Sequence, residues 1–98
     1  MKDITFSMGA WEQYLSWQQL DRKTLKRIND LLKDMQRGGA AGGNANFVGI
    51  GKPEPLRHRK CWSRRIDHAN RLVYTIDEEQ NIEEQNITVV SCKGHYED

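Results

Sequence analysis

Between residues 38 and 44 the chain reads Gly38-Gly39-Ala40-Ala41-Gly42-Gly43-Asn44, four glycines in seven positions. Glycine loses more conformational freedom on ordering than any other residue, so such a run cannot hold regular structure cheaply and reads as a flexible loop. It separates two stretches whose apolar residues keep different periods. Before it the spacing is mainly helical; after it, apolar and polar residues alternate as in strands. A chain divided in this way can place helices against one face of a sheet.

The front half sets out the helical part. Asp3-Ile4-Thr5-Phe6 alternates and predicts a short first strand. A helix follows over residues 11–18, with Trp11, Tyr14 and Leu15 on one face and expected in the core. Asp21 is suited to cap a second helix by accepting from the free N–H groups of its first turn. In that helix Leu25, Ile28, Leu32 and Met35 recur every three or four residues, while Arg22, Lys23, Lys26, Asp30 and Lys33 take the opposite face.

The back half predicts three strands. Cys61 to Ile66 alternates Trp62, Arg64 and Ile66 against Cys61, Ser63 and Arg65. Asp67-His68-Ala69-Asn70 has hairpin-turn chemistry. Arg71 to Ile76 then runs back, with Leu72, Tyr74 and Ile76 on one side, and Ile87 to Cys92 forms the last strand. Residues 78–87, EEQNIEEQNI, repeat one pentapeptide. An odd insertion inside a strand would reverse every later side chain, so the extra copy belongs in the connection before the last strand. The expected fold class is α+β, in the order β-α-α-β-β-β. It has an antiparallel twisted sheet with two helices packed on one face and arginines (Arg71 with Arg64 or Arg65) able to project from the other.

Composition narrows the function. The 98 residues fit a single domain, 1–98. No apolar run of about 18 residues is present, and the N-terminus lacks an apolar secretory core, so no membrane partner and a cytoplasmic location are expected. Cys61 and Cys92 lie 31 apart, and His58, His68 and His95 do not fall at metal-ligand spacing, so no metal or cofactor is expected. The net charge of +1 conceals a block: residues 52–71 hold seven basic and two acidic side chains, whereas residues 72–98 hold one basic and seven acidic. Such a block suits a polyanion-binding surface and equally an edge strand protected by charge.

Both prolines of the chain flank one carboxylate, in Gly51-Lys52-Pro53-Glu54-Pro55-Leu56. Proline fixes its own φ and biases the residue before it toward extended geometry, so Glu54 is held in a narrow range. By itself this is a rigid turn. Beside Arg71, which opens a strand next to Arg64-Arg65, and His95-Tyr96 after the last strand, it completes a set able to cleave RNA without a metal. A carboxylate takes the 2′-OH proton, guanidinium groups neutralise the phosphorane, and an imidazole protonates the leaving oxygen.

GKPEPL, WSRRI, RLVY and a terminal HY, in that order, resemble the YoeB/Txe toxins of the RelE/ParE superfamily. Trp11, Tyr14 and Trp17, then Lys26, Ile28, Asn29, Leu31 and Lys33-Asp34, fit that family's helical hairpin. The resemblance implies the RelE-like, or microbial ribonuclease-like, fold. It also implies a toxin of a type II toxin–antitoxin system that cleaves mRNA in the ribosomal A site. The partners implied are mRNA on the bacterial ribosome with 16S rRNA contacts, a YefM-type antitoxin, and a second copy in a homodimer. By position, Glu54 matches the family's general base, Arg71 its transition-state arginine, His95 its general acid and Tyr96 its substrate-ordering tyrosine. Lys52, Arg57, Arg64 and Arg65 match basic positions that meet RNA backbone. The alternative on the same fold is a ParE-like toxin that binds and inhibits DNA gyrase, which does not need the Glu54/Arg71/His95 set.

The chain departs from the family pattern in its longer glycine loop, in Cys61 before WSRRI, in Ala69 at the turn and in the EEQNI duplication. Glu97-Asp98 also extend past His95-Tyr96, and two carboxylates there should favour the charged imidazole.

Overall fold

The computed structural model describes residues 3–37, 50–56, 61–76 and 86–94. Its elements are β1 (Ile4–Phe6), α1 (Met8–Leu20), α2 (Arg22–Gln36), β2 (Glu54–Pro55), β3 (Trp62–Arg65), β4 (Arg71–Ile76) and β5 (Ile87–Ser91). The glycine-rich run and most of the EEQNI duplication lie outside the described residues, as do Arg57, His95, Tyr96, Glu97 and Asp98.

One residue makes the helical hairpin. Asp21 adopts an extended φ of −161°, which ends α1, and its own N–H still donates to the Trp17 carbonyl. Its carboxylate then accepts from the backbone N–H groups of Lys23 and Thr24, and from the Thr24 hydroxyl at 2.8 Å. These bonds, led by that of the Thr24 side chain, hold the Asp21 carboxyl below its ordinary value. Ser7 does the same for α1, accepting from the Ala10 N–H.

The sheet runs β1-β5-β4-β3-β2. The three pairs from β2 to β5 are antiparallel, but β1 pairs with β5 in parallel, Ile4 opposite Ile87. The antiparallel sheet expected from the hairpins is thus found, with one parallel pair added at its β1 edge. Adjacent strands joined by a short hairpin, as β3 and β4 are through residues 66–70, must run antiparallel, whereas β1 and β5 lie near opposite ends of the chain and are free of that constraint. A further strand, β2, forms where only a stiff entry segment was expected: Glu54 pairs with Ser63, and the Leu56 N–H donates to the Cys61 carbonyl.

Ile28, Leu31 and Met35 of α2 pack with Leu72, Tyr74, Ile87 and Val89 of the sheet, all fully buried. Leu25 and Leu32 are only partly buried, and Leu31 takes the place that the spacing assigned to its neighbours. In α1 the expectation holds for Tyr14, which packs partly buried against the core, and is corrected for Trp11 and Leu15. Ala10 and Trp17 face the core, while Trp11 is 47% exposed and Leu15 is exposed as well. Small Ala10 lets the helix lie close, with the Cys92 thiol reaching its carbonyl, and the Trp17 indole N–H donates to the Cys92 carbonyl at 2.9 Å. Helical spacing defines which residues share a face, but the partner surface decides which face turns inward. Trp11 instead stacks on Tyr14 and meets Phe6 edge-on, covering the margin of β1.

Gly51 is the narrow point of the segment that carries Glu54. Its φ is +83°, and an added Cβ would lie 2.8 Å from Leu31 Cδ2, 3.1 Å from Arg64 Cβ and 3.2 Å from the Arg65 carbonyl oxygen. Its carbonyl accepts from the Arg65 N–H. Gly51→Ala should therefore destabilise the protein by about 1–3 kcal/mol, read as a lower urea midpoint; an unchanged midpoint would mean that the segment relaxes without cost.

Candidate active site

On β4, Leu72 and Tyr74 face the helices, so alternation sends Arg71 and Val73 to the other face. The register carries that face across the sheet: Arg65 stands opposite Arg71, Ser63 opposite Val73, and Glu54 opposite Ser63. Three segments thus bring residues 54, 65 and 71 together. Arg71 Nη1 lies 3.3 Å from Glu54 Oε1, with the arginine side chain 15% exposed and the glutamate 57% exposed.

The pair joins a sheltered cation to a carboxylate open to solvent. An exposed ion pair of this kind contributes only about 0–1 kcal/mol to stability, and its 3.3 Å separation is longer than the roughly 2.7–2.9 Å of a tight charged hydrogen bond. Fold stability therefore gives little reason to set it there. Arg65, exposed and directly across from Arg71, adds a second guanidinium where like charges cost about 0.2–1 kcal/mol. An anion lying over this surface would relieve that repulsion. Lys52 is exposed two residues before Glu54, with a φ of +51°, and adds to the positive surround.

Gly94, beyond β5, is fastened to the same place. The Arg71 N–H donates to the Gly94 carbonyl at 2.9 Å, and the Gly94 N–H donates to Asn70 Oδ1 at 2.8 Å. The residue immediately before His95 is therefore bonded to the backbone of Arg71. His95 and Tyr96 themselves, like Arg57, lie outside the described residues.

Arg64 corrects the sequence reading. Expected to meet RNA backbone, it is 0% exposed. Its Nη1 lies 2.6 Å from Asp34 Oδ2 and also donates to the Ile50 carbonyl, while Nε donates to the Tyr74 hydroxyl. Asp34 in turn accepts from the Ile50 N–H. Burial pushes the Tyr74 hydroxyl above its ordinary value, and Arg64 pulls it the other way. Adjacent residues on a strand point to opposite faces, so with Arg65 on the open face Arg64 must enter the core.

The family profile described as a YoeB-like toxin of bacterial type II toxin-antitoxin systems matches residues 6–96. The chain belongs to the YoeB toxin family. It is thus the toxin of a type II toxin–antitoxin system. It is 43% identical to toxin YoeB of Synechocystis over 96 residues, covering 96% of both chains. Among solved structures, a YoeB dimer from Staphylococcus aureus superposes with a TM-score of 0.78 at 44% identity, over 97% of this chain and 98% of the other. A heterotetrameric YoeB–YefM toxin–antitoxin complex from the same organism gives 0.76 at 44% identity, over 98% and 99%.

Sequence reasoning missed three residues that shape this YoeB-family toxin's site: Asp34, Asn70 and Gly94. Asp34 carried no clear signal, because Leu31, which sets the buried side of α2 next to it, takes its core place only in the folded structure. Asn70 was expected in the turn, where Asp67 accepts from the Ala69 and Asn70 N–H groups and from the Asn70 amide. Partial burial of the Asp67 carboxyl works against these bonds, which together still hold it below its ordinary value. The second use of Asn70, toward Gly94, has no local signature. Among the described residues no helix is long and apolar enough to cross a membrane.

Proposed function

We propose that this toxin is a ribosome-dependent endoribonuclease that cleaves mRNA in the A site by attack of a ribose 2′-OH. The observation that carries the reading is the Arg71–Glu54 pair, open to solvent at the carboxylate and joined through the Arg71 N–H to Gly94, next to His95. Glu54 takes the 2′-OH proton, and the 2′-oxygen bonds to phosphorus. Arg71 and Arg65 neutralise the equatorial oxygens as charge builds. The bond from phosphorus to the 5′-oxygen breaks, and His95 protonates that oxygen, with Tyr96 ordering the substrate. The products are a 2′,3′-cyclic phosphate and a 5′-OH. Each proton transfer contributes on the order of 10²- to 10⁴-fold, and none of these steps requires a metal. Lys52 and Arg57 extend the contact along the RNA backbone.

The S. aureus relatives include a complex with YefM and a dimer. By that likeness the partners of this chain are a YefM-type antitoxin and a second copy of itself; as an enzyme of the translating ribosome it acts in the cytoplasm. Toeprinting on ribosomes stalled over a defined codon tests the reading. Cleavage is expected only with ribosomes present, within the A-site codon, leaving a cyclic phosphate, and not at a 2′-deoxy nucleotide. Cleavage of the deoxy substrate would overturn the mechanism. Intact mRNA with inhibited gyrase supercoiling would replace it with a gyrase-binding toxin.

A further inference from the structure

The segment after β5 is held at every described residue. The Ser91 hydroxyl donates to the Lys93 carbonyl. The Cys92 N–H donates to the Gln13 side chain at 2.7 Å, and the Cys92 carbonyl accepts from Trp17. Gly94 is then gripped from both sides, by Asn70 Oδ1 at its N–H and by the Arg71 N–H at its carbonyl. Just upstream, Val90 is left unmatched between the Val73–Ser91 and Tyr74–Val89 pairs of the β4–β5 register. A bulge of this kind bends its strand and increases local twist.

Gly94 is required by its conformation rather than by space: its φ is +95°, and an added Cβ would meet nothing within 4 Å. Its carbonyl belongs to the same planar peptide unit as the His95 nitrogen, so fixing that carbonyl fixes the unit that delivers His95. The side chain that anchors the other end of this residue is Asn70, itself held by two contacts from its amide nitrogen to the Asp67 carboxylate at 3.1 and 3.2 Å. These leave its oxygen aimed at Gly94. The adjacent residue, Arg71, contributes its N–H to the same grip and its guanidinium to Glu54.

We propose that Asn70 is a positioning residue: clamped by Asp67, it fixes Gly94 beside Arg71 and so sets the peptide unit from which His95 departs. This rests on the endoribonuclease reading above. Asn70 touches no reacting atom in this scheme and acts only through His95. Misplacement of a catalytic group by about 1 Å can cost on the order of 100-fold, and one lost hydrogen bond about 10-fold or less. Asn70→Ala should therefore slow cleavage by roughly 10- to 100-fold.

The test is a double-mutant cycle: single-turnover mRNA cleavage on programmed ribosomes by the parent, Asn70→Ala, His95→Gln and the double variant, with ribosome affinity measured alongside. Asn70→Ala should slow cleavage without weakening ribosome binding. In the His95→Gln background the same change should have no further effect, because nothing remains for Asn70 to position. If His95→Gln is slow but Asn70→Ala is as fast as the parent, the positioning role is overturned and the nuclease reading stands. Effects that multiply, as general unfolding would produce, also overturn it. If His95→Gln cleaves as fast as the parent, both readings fall.

Discussion

Glu54→Gln is expected to slow single-turnover mRNA cleavage on programmed ribosomes by about 10²- to 10⁴-fold, the contribution of one positioned base. Stability should barely change. Glu54 is more than half exposed, and its pairing with Arg71 contributes no more than about 1 kcal/mol. The amide keeps an oxygen for Arg71, so β2 retains its place while the proton acceptor is lost. Arg71→Gln removes the guanidinium opposite the developing phosphorane and should cost on the order of 10²- to 10³-fold. Measuring the rate and the urea midpoint of each variant separates chemistry from folding. A Glu54→Gln protein within threefold of the parent would mean that another group takes the 2′-OH proton.

Asp34→Ala is expected to behave in the opposite way, with its effect on the fold. It takes the carboxylate away from the fully buried Arg64 guanidinium, which keeps its hydrogen bonds to the Ile50 carbonyl and the Tyr74 hydroxyl, and also removes the acceptor for the Ile50 N–H. Breaking a buried ion pair from one side costs about 3–5 kcal/mol. Asp34 is 26% exposed, so solvent can reach the site and the lower end, about 3 kcal/mol, applies. Against a total stability of about 5–15 kcal/mol, this is a large fraction. At about 4–8 °C per kcal/mol for a chain of this size, Tm should fall by roughly 12–24 °C. Replacing both partners, as Asp34→Leu with Arg64→Met, should recover much of the loss because no buried charge is left unpaired. A double variant no more stable than Asp34→Ala would show that the ion pair is needed for the fold itself.

These two experiments contrast two arginine–carboxylate pairs drawn from neighbouring strands. Arg64–Asp34 at 2.6 Å is closed off from water on the arginine side, and Arg71–Glu54 at 3.3 Å opens to water at the carboxylate. Four arginine or lysine positions were read as backbone contacts from the sequence. Of the three described, Lys52 and Arg65 are exposed and Arg64 is not. The alternation of residues 64 and 65 was legible, because it follows from strand geometry alone. Which of the two faces solvent was not, because that depends on where α2 lies over the sheet. The same limit explains Trp11 and Leu15, which share a helix face as expected and lie outside the core.

The chain's local chemistry determined a good deal without any tertiary information. Asp21 breaks the helices because its carboxylate caps a first turn, Asp67 to Asn70 turn because an aspartate can bond its own following backbone, and Pro53 and Pro55 stiffen Glu54 because proline fixes φ. Each of these acts within about four residues. The tertiary structure alone decided that Glu54 meets Arg71 across 17 positions, that Asp34 reaches Arg64 across 30, and that Asn70 holds Gly94 across 24. Contacts that distant depend on strand register and helix placement, which arise from burying one shared core, and no local pattern encodes them.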